Sequence, residues 1–324
     1  MRTGRLRGLV RRAGFGVLAM GLVIGVAACG SGDGDSGSGG GSITVEHVMG
    51  KTEIQGVPKR VVALGPQWLD AVLSLGVTPV GYVVPGLVSS VPWEPKIPDS
   101  AKRIDMSGDF SEQIAALNPD LIVAPSFMAD RATYDKLSKL APTIDSLSSA
   151  QIDPWQDQVT TLGKVLHKDA EAAKVVAEVN GKIDAVAAKH PGLKGKTFLT
   201  CMLTGPQQLM VLADPKDGSA ALFERLGMTM PEKIVAEAPS GGRLALSPER
   251  LSDLTSDLLV CGAMPAFEAK FKELPGYNDL PAVRHNGIAF VDVVAINAIN
   301  QPTALSVPYV LEKLEPTFAN VAGS

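Results

Sequence analysis

The sequence predicts an α/β fold of two parallel-sheet lobes with one long helix between them. One skeleton occurs twice, in SEQIAALNPDLIVA (111–124) and PERLSDLTSDLLVC (248–261): Glu, then Ile or Leu two positions on, Leu five on, Asp eight on, and an apolar run. Ahead of each copy lies the same order of short apolar run, amphipathic stretch ending on Gly, and second segment, so the repeated unit is a strand, helix, strand, helix, strand lobe. Between the copies, residues 169–190 carry a single uninterrupted apolar stripe.

In chain order, the N-terminus holds Arg2, Arg5, Arg7, Arg11 and Arg12, followed by FGVLAMGLVIGVAAC. That run is too short and too promptly ended by Gly and Ser for a membrane-spanning helix, and it reads as an export signal over residues 1–28. Its close, Val26, Ala27, Ala28 and Cys29, resembles a bacterial lipobox, which makes Cys29 the expected lipid anchor. Arg11 and Arg12 also faintly resemble a twin-arginine signal. Residues 29–42, rich in Gly and Ser, form a flexible tether. A phosphate loop would have to follow a strand and open a helix, and Asp33 and Asp35 lack the downstream Glu of a calcium loop.

The first lobe is expected over 43–168. KRVVALG (59–65) reads as a buried strand too brief for a helix. PQWLDAVLSLG follows as a helix with Trp68, Leu69, Val72, Leu73 and Leu75 at near-helical spacing and a stop at Gly76. VTPVGYV is the second strand. Ser111 starts the next helix, Ile114, Ala115 and Leu117 form its buried stripe, Asn118–Pro119 break it, and Asp120 leads into LIVA.

DPWQDQVTTLGKVL reads as a helix ending near His167. Asp169 then caps an interlobe helix (169–190) on which Ala173, Val176, Val179, Ile183, Val186 and Ala187 share a face until Pro191–Gly192. At 1.5 Å per residue it spans about 30 Å, enough to cross from lobe to lobe and restrict hinge motion. The second lobe, 191–324, repeats the order with KTFLTCML (196–203) as strand, AALFERLG (220–227) as helix, and MTMPEKIVAE in the place of VTPVGYV. LGVT (75–78) and LGMT (226–229) match almost letter for letter.

With 324 residues the chain suits two cores rather than one, and 45 % hydrophobic against 20 % charged residues is ordinary for a globular protein. A net charge of -4, with no Lys/Arg cluster beyond the N-terminus, argues against a nucleic-acid partner. Cys201 and Cys261 end strand-like runs; buried thiols and a disulfide formed after export are both open. His47, His167, His190 and His285 lack the spacing of metal ligands, no Gly-x-Ser-x-Gly elbow occurs, and neither thiol has a base beside it in sequence. No enzyme activity, protein-bound metal or cofactor is expected.

A cleft in open α/β lobes forms beyond the carboxyl ends of the strands. The loops there hold Trp68, Tyr82 and Trp93, rigid aromatics suited to a broad ligand, though each also suits a core or a rim. Arg243, flanked by glycines, is placed to reach anionic ligand oxygens or to remain a surface cation, with Arg131 and Arg284 as further candidates. Asn297 and Asn300 offer polar contacts or simply form turns.

HVMGKTEIQGVPKRVVALG, LGVTPVG, SEQIAALNPDLIVA, YDKLSKLAPT, DPWQDQVTTLGKVL and INAINQPTALSVPYVLEKLEP together resemble the iron-siderophore and cobalamin binding lipoproteins of ABC importers, over nearly all of 43–318. The likeness is strongest to the actinobacterial ferric-siderophore receptors of the iron-dicitrate type. The resemblance implies two Rossmann-like lobes joined by one long helix, with ligand in the cleft and little closure. It implies that Glu112 and Glu249, one per lobe, dock on arginines of an ABC permease. It further implies a monomer, lipid-anchored on the extracytoplasmic face, that binds iron through a ferric siderophore. Heme or cobalamin is the alternative cargo, and an exported hydrolase on the same scaffold is the competing class. So few cleft arginines favour a hydroxamate or mixed-ligand chelate over a catecholate.

Overall fold

Residues 41–84, 91–106, 109–205, 208–263 and 265–324 are described in a computed structural model. The expected signal segment, Cys29 and the tether as far as residue 40 lie outside the described residues. Short apolar runs become strands because each is walled by Gly, Pro or polar turns. A hairpin of β1 (Ser42–His47) and β2 (Gly50–Gln55) comes first. The first sheet holds β3 (Val61–Leu64), β4 (Gly81–Val83), β5 (Lys102–Arg103), β6 (Leu121–Val123) and β7 (Thr143–Ile144), ordered β5-β4-β3-β6-β7 and wholly parallel.

The second sheet holds β8 (Phe198–Gly205), β9 (Gln208–Leu212), β10 (Arg243–Leu246), β11 (Leu258–Gly262) and β12 (Ile288–Val291), ordered β10-β9-β8-β11-β12. Only β8, β11 and β12 are mutually parallel neighbours; β9 runs antiparallel to both β8 and β10. The second sheet is therefore mixed, which corrects the expectation of two parallel sheets. The segment MTMPEKIVAE is not a strand either. Thr229 makes one isolated bridge to Thr197, and the chain then turns helical behind Pro231. The place beside β8 is taken by the apolar run LMVL, which returns at once as a hairpin, a connection that needs only a short turn where a parallel one needs a crossover.

The helices are α1 (Pro66–Ser74), α2 (Ser111–Ala116), α3 (Arg131–Leu137), α4 (Trp155–Val165), α5 (Asp169–Lys189), α6 (Ala221–Arg225), α7 (Glu232–Ala236), α8 (Pro265–Lys272), α9 (Pro281–Arg284), α10 (Val293–Asn300) and α11 (Ser306–Ala322). The long helix α5 has 21 residues and packs on α4, α6 and α11. Asp169 is its first residue rather than its cap. Lys168 holds the cap position without a side-chain bond, and Asp169 and Glu171 in the first turn answer the helix dipole instead.

Each sheet buries both faces, as strand alternation requires. Val61 and Ala63 face a core shared by the two lobes, which includes Trp68, Phe198, Phe223, Val260, Leu314 and Phe318. Val62 and Leu64 face a separate cluster under α2 and α3, while Leu199, Cys201, Leu259 and Cys261 face a third with Phe271. Cys201 and Cys261 sit directly opposite each other on β8 and β11 and form a disulfide. Of the two readings left open by the sequence, the disulfide is the one observed.

The two copies of the repeated skeleton differ in helix type but share one function for Asp. The first is α2; the second is a 3-10 helix, Pro248–Leu254, interrupted at Arg250, whose guanidinium bonds both Asp253 and Glu237. Asp120 accepts the backbone N–H groups of Lys59 at 2.8 Å and Arg60 at 2.7 Å, just ahead of β3. Asp257 accepts the N–H of Thr197 at 2.7 Å and its hydroxyl at 2.8 Å, just ahead of β8. In each lobe the Asp secures the start of the central strand.

Candidate functional site

The site grows from the carboxyl end of β3. Gly65 takes φ 83, a left-handed conformation that suits glycine, and a Cβ there would come within 3.2 Å of Pro125 and 3.1 Å of Met128. The turn lets Pro66 open α1 at its first position, where a missing N–H costs nothing. Helical spacing then divides α1. Trp68, Leu69 and Val72 face the core, whereas Pro66 and Asp70, one turn apart, line a cavity of about 170 Å³.

The opposite wall comes from α10, whose N-terminus is capped by Asp292 through the N–H of Ala295 at 2.8 Å. Val294, Asn297, Ala298 and Gln301 follow at helical spacing along that wall. Gly262 at the end of β11 lets α10 lie close on the sheet, since a Cβ there would meet Ile296 at 2.5 Å. Val84, Val91, Trp93 and Glu94 close the cavity from the first lobe, and Thr303 from the second.

Asp70 is 1 % exposed. Its Oδ2 accepts the indole N–H of Trp93 at 3.0 Å and the hydroxyl of Thr303 at 2.6 Å, while Oδ1 has no partner. Burial pushes the Asp70 carboxyl up to about 7; the bond from Thr303 opposes this, the charge of Glu94 adds to it, and the bond from Trp93 opposes it. Burial raises Glu94 as well, against the pull of Arg103. Gln67, also buried, donates to the carbonyl of Pro302 at 3.1 Å, so one turn of α1 holds the 302–303 turn at two points.

A wider surface of about 630 Å³ adjoins the cavity, sharing Val84. It lies beyond the ends of β4, β5 and β6 and is lined by Arg103, Ile104, Met106, Phe127 and Met128, with Met106 and Phe127 exposed.

The structure brings Trp93 and Asn297 together on the cavity wall. Tyr82 is half-buried on β4 against the shared core. Trp68 is wholly buried and offers no surface to a ligand, which corrects its placement in the cleft; it shares the core face of α1 with Val72 and Leu75. Arg243 does not project freely. At the start of edge strand β10 its guanidinium donates to Asp217 at 3.1 Å and to Ser219 at 3.2 Å, and it lines neither the cavity nor the adjoining surface. Arg131 and Arg284 likewise pair with Asp135 and Asp279. Glu112 and Glu249 are both exposed, each in the first turn of its helix. Among the described residues, no group of three or more His, Cys, Asp or Glu is placed to hold a metal ion. Asp70, Glu94, Gln301, Thr303 and Arg103 are site residues that the sequence pattern does not single out. Asp70 alone left a signal, a carboxylate between the apolar pairs of WLDAVL.

The family model described as periplasmic binding protein matches residues 61–294, from β3 into α10. The chain belongs to the periplasmic binding protein family. Two relatives of this binding protein carry ferric ligands in their names. The Fe(3+)-citrate-binding protein YfmC of Bacillus subtilis is 30 % identical over 250 residues, covering 75 % of this chain and 76 % of that one. The ferric-anguibactin-binding protein FatB of Vibrio anguillarum is 28 % identical over 269 residues, covering 78 % and 80 %. A periplasmic solute binding protein from Mycobacterium smegmatis has the same fold, with a TM-score of 0.71 and 29 % identity over 87 % of this chain and 99 % of that one.

Proposed function

We propose that this binding protein captures a ferric siderophore outside the membrane and delivers it to an ABC permease, without covalent chemistry. The observation that carries the reading is the meeting of α1 and α10, from two lobes, around a half-enclosed cavity beside an open apolar surface. The two relatives name different chelates, so the shared element is chelated iron rather than one chelator. The lipid anchor is assigned to Cys29, the working form to a monomer, and permease docking to Glu112 and Glu249.

Of the three tryptophans, Trp68 and Trp155 are buried in the core and Trp93 lines the cavity. Fluorescence titration of the chain with ferric citrate, a ferric hydroxamate, a ferric catecholate, heme and cobalamin therefore tests the reading. Saturable quenching by a ferric chelate, lost in Trp93→Phe, is the expected result. Quenching by heme or cobalamin alone would replace the siderophore with that cargo, and turnover of a chelate would replace the receptor with an enzyme.

A further inference from the structure

The cavity between α1 and α10 has a chemistry that narrows its occupant. Its volume of about 170 Å³ is little more than the roughly 150 Å³ that holds a benzene molecule, too small for a whole ferric chelate but sufficient for one arm. Two oxygens of its lining residues lack hydrogen-bond partners: Oδ1 of Asp70, itself 1 % exposed, and Oε1 of Gln301. Glu94 adds a second carboxyl, and among the described residues no Lys or Arg lines the cavity. An anionic arm would meet two carboxyls and no cation there, and an apolar arm would leave both buried oxygens unpaired. A donor with positive charge answers both at once, since charge-assisted hydrogen bonds are the strong ones. The neighbouring Trp93 ring offers such a cation an aromatic wall.

We propose that the cavity takes a protonated amine arm of a ferric chelate, its N–H groups donating to Asp70 and Gln301, while the chelate body rests on the adjoining surface of Arg103, Met106 and Phe127. This rests on the ferric-chelate reading above and adds the class of chelator: one that ends in a free amine. The amine also supplies the counter-charge that the elevated Asp70 carboxyl lacks in the unliganded protein.

Two measurements on the full chain separate the two claims. In thermal shift assays across a concentration series, n-butylammonium raises the Tm, while n-butanol and butanoate do not, and Asp70→Asn removes the shift. In calorimetric titration, a linear ferric trihydroxamate ending in a primary amine binds about tenfold or more tighter than the same chelate with that amine acetylated, the scale of one charge-assisted hydrogen bond. Asp70→Asn abolishes that preference. Because Asp70 also holds Thr303, Gln301→Leu serves as the second variant and narrows the preference without touching that bond. Equal affinity for the two chelates, or a preference that survives both substitutions, overturns the inference and leaves the receptor reading intact. A butylammonium shift with no binding of any ferric chelate overturns the receptor reading and keeps the cavity's preference for a cation. No shift and no preference overturns the inference.

Discussion

Thr303 donates its hydroxyl to Asp70 Oδ2 at 2.6 Å across 233 residues of sequence, joining α1 of the first lobe to the turn that precedes α11 of the second. The same hydroxyl accepts the N–H of Ser306 at 2.9 Å, and Ser306 accepts the N–H of Thr303 at 2.9 Å, so the contact also fixes the start of α11. The junction is thus held by a buried carboxyl rather than by apolar packing alone.

That carboxyl sets a pH dependence. Unfolded, Asp70 titrates at the ordinary 3.8; folded, burial moves it to about 7. Between these values the folded protein holds a proton that the unfolded chain has lost. Stability therefore falls as pH rises through this window and levels off above it, by on the order of 4 kcal/mol in all. Urea midpoints of the unliganded protein are expected to drop between about pH 4 and pH 7, and Asp70→Asn is expected to remove most of that slope. A slope unchanged in the variant would show that other groups carry it.

The Asp of the second copy behaves in the opposite sense. Asp257 has its carboxyl held below the ordinary range; burial works against this, and the bonds from Thr197 with the charge of Lys196 prevail. A depressed carboxyl stabilises the fold above its unfolded pKa and loses that contribution as pH falls. Asp257→Ala and Asp120→Ala are each expected to cost about 1–3 kcal/mol at neutral pH, because the first strands the N–H and hydroxyl of Thr197 and the second the N–H groups of Lys59 and Arg60, each at the start of a central strand. Urea titration of both variants checks this, and a cost below about 0.5 kcal/mol would mean that water replaces the carboxylate.

The repeat made the frame legible, and its limits mark where the frame diverges. The Leu and Asp positions recur because each lobe needs a core contact and a strand clamp, and both are visible in letters. The repeat fails at MTMPEKIVAE, where Pro231 and the following Glu and Lys favour a helix start over a strand. The hairpin partner LMVL leaves little signal because it is short. The site was less legible. An aromatic just after a strand looks like a cleft residue, but helical phase put Trp68 in the core and its neighbour Asp70 in the cavity. Arg243 illustrates a pairing that no local pattern foretells, since its partner Asp217 lies 26 residues away in a turn.

The disulfide gives a test of the second sheet on its own. Cys201 and Cys261 are 60 residues apart, a closed loop for which chain entropy alone yields about 4 kcal/mol, and engineered or native cases deliver roughly 2–4 kcal/mol. Reduction, or the pair Cys201→Ala with Cys261→Ala, is expected to lower the urea midpoint accordingly. Because the pair lies on the face of the sheet that packs against Phe271, away from the shared core, ligand affinity should change far less than stability. Coincident loss of binding under conditions where the protein stays folded would mean that this face of the sheet is coupled to the site.

Docking, as proposed, separates from binding. Glu112 and Glu249 are exposed, sit in the first turn of two different helices, and line neither the cavity nor its adjoining surface. A carboxylate there gains about 0.3–1 kcal/mol from the helix dipole, so charge reversal should disturb stability only slightly. If each meets a cation on one of two similar permease subunits, reversal replaces attraction by repulsion at both points, and like charges brought together at an interface cost several kcal/mol. The pair Glu112→Arg with Glu249→Arg is expected to bind the ferric chelate with wild-type affinity and to abolish uptake in cells that depend on this receptor. Each single reversal should weaken uptake less than the pair does. Uptake that persists in the double variant, or chelate affinity that falls with it, would remove both residues from the docking role.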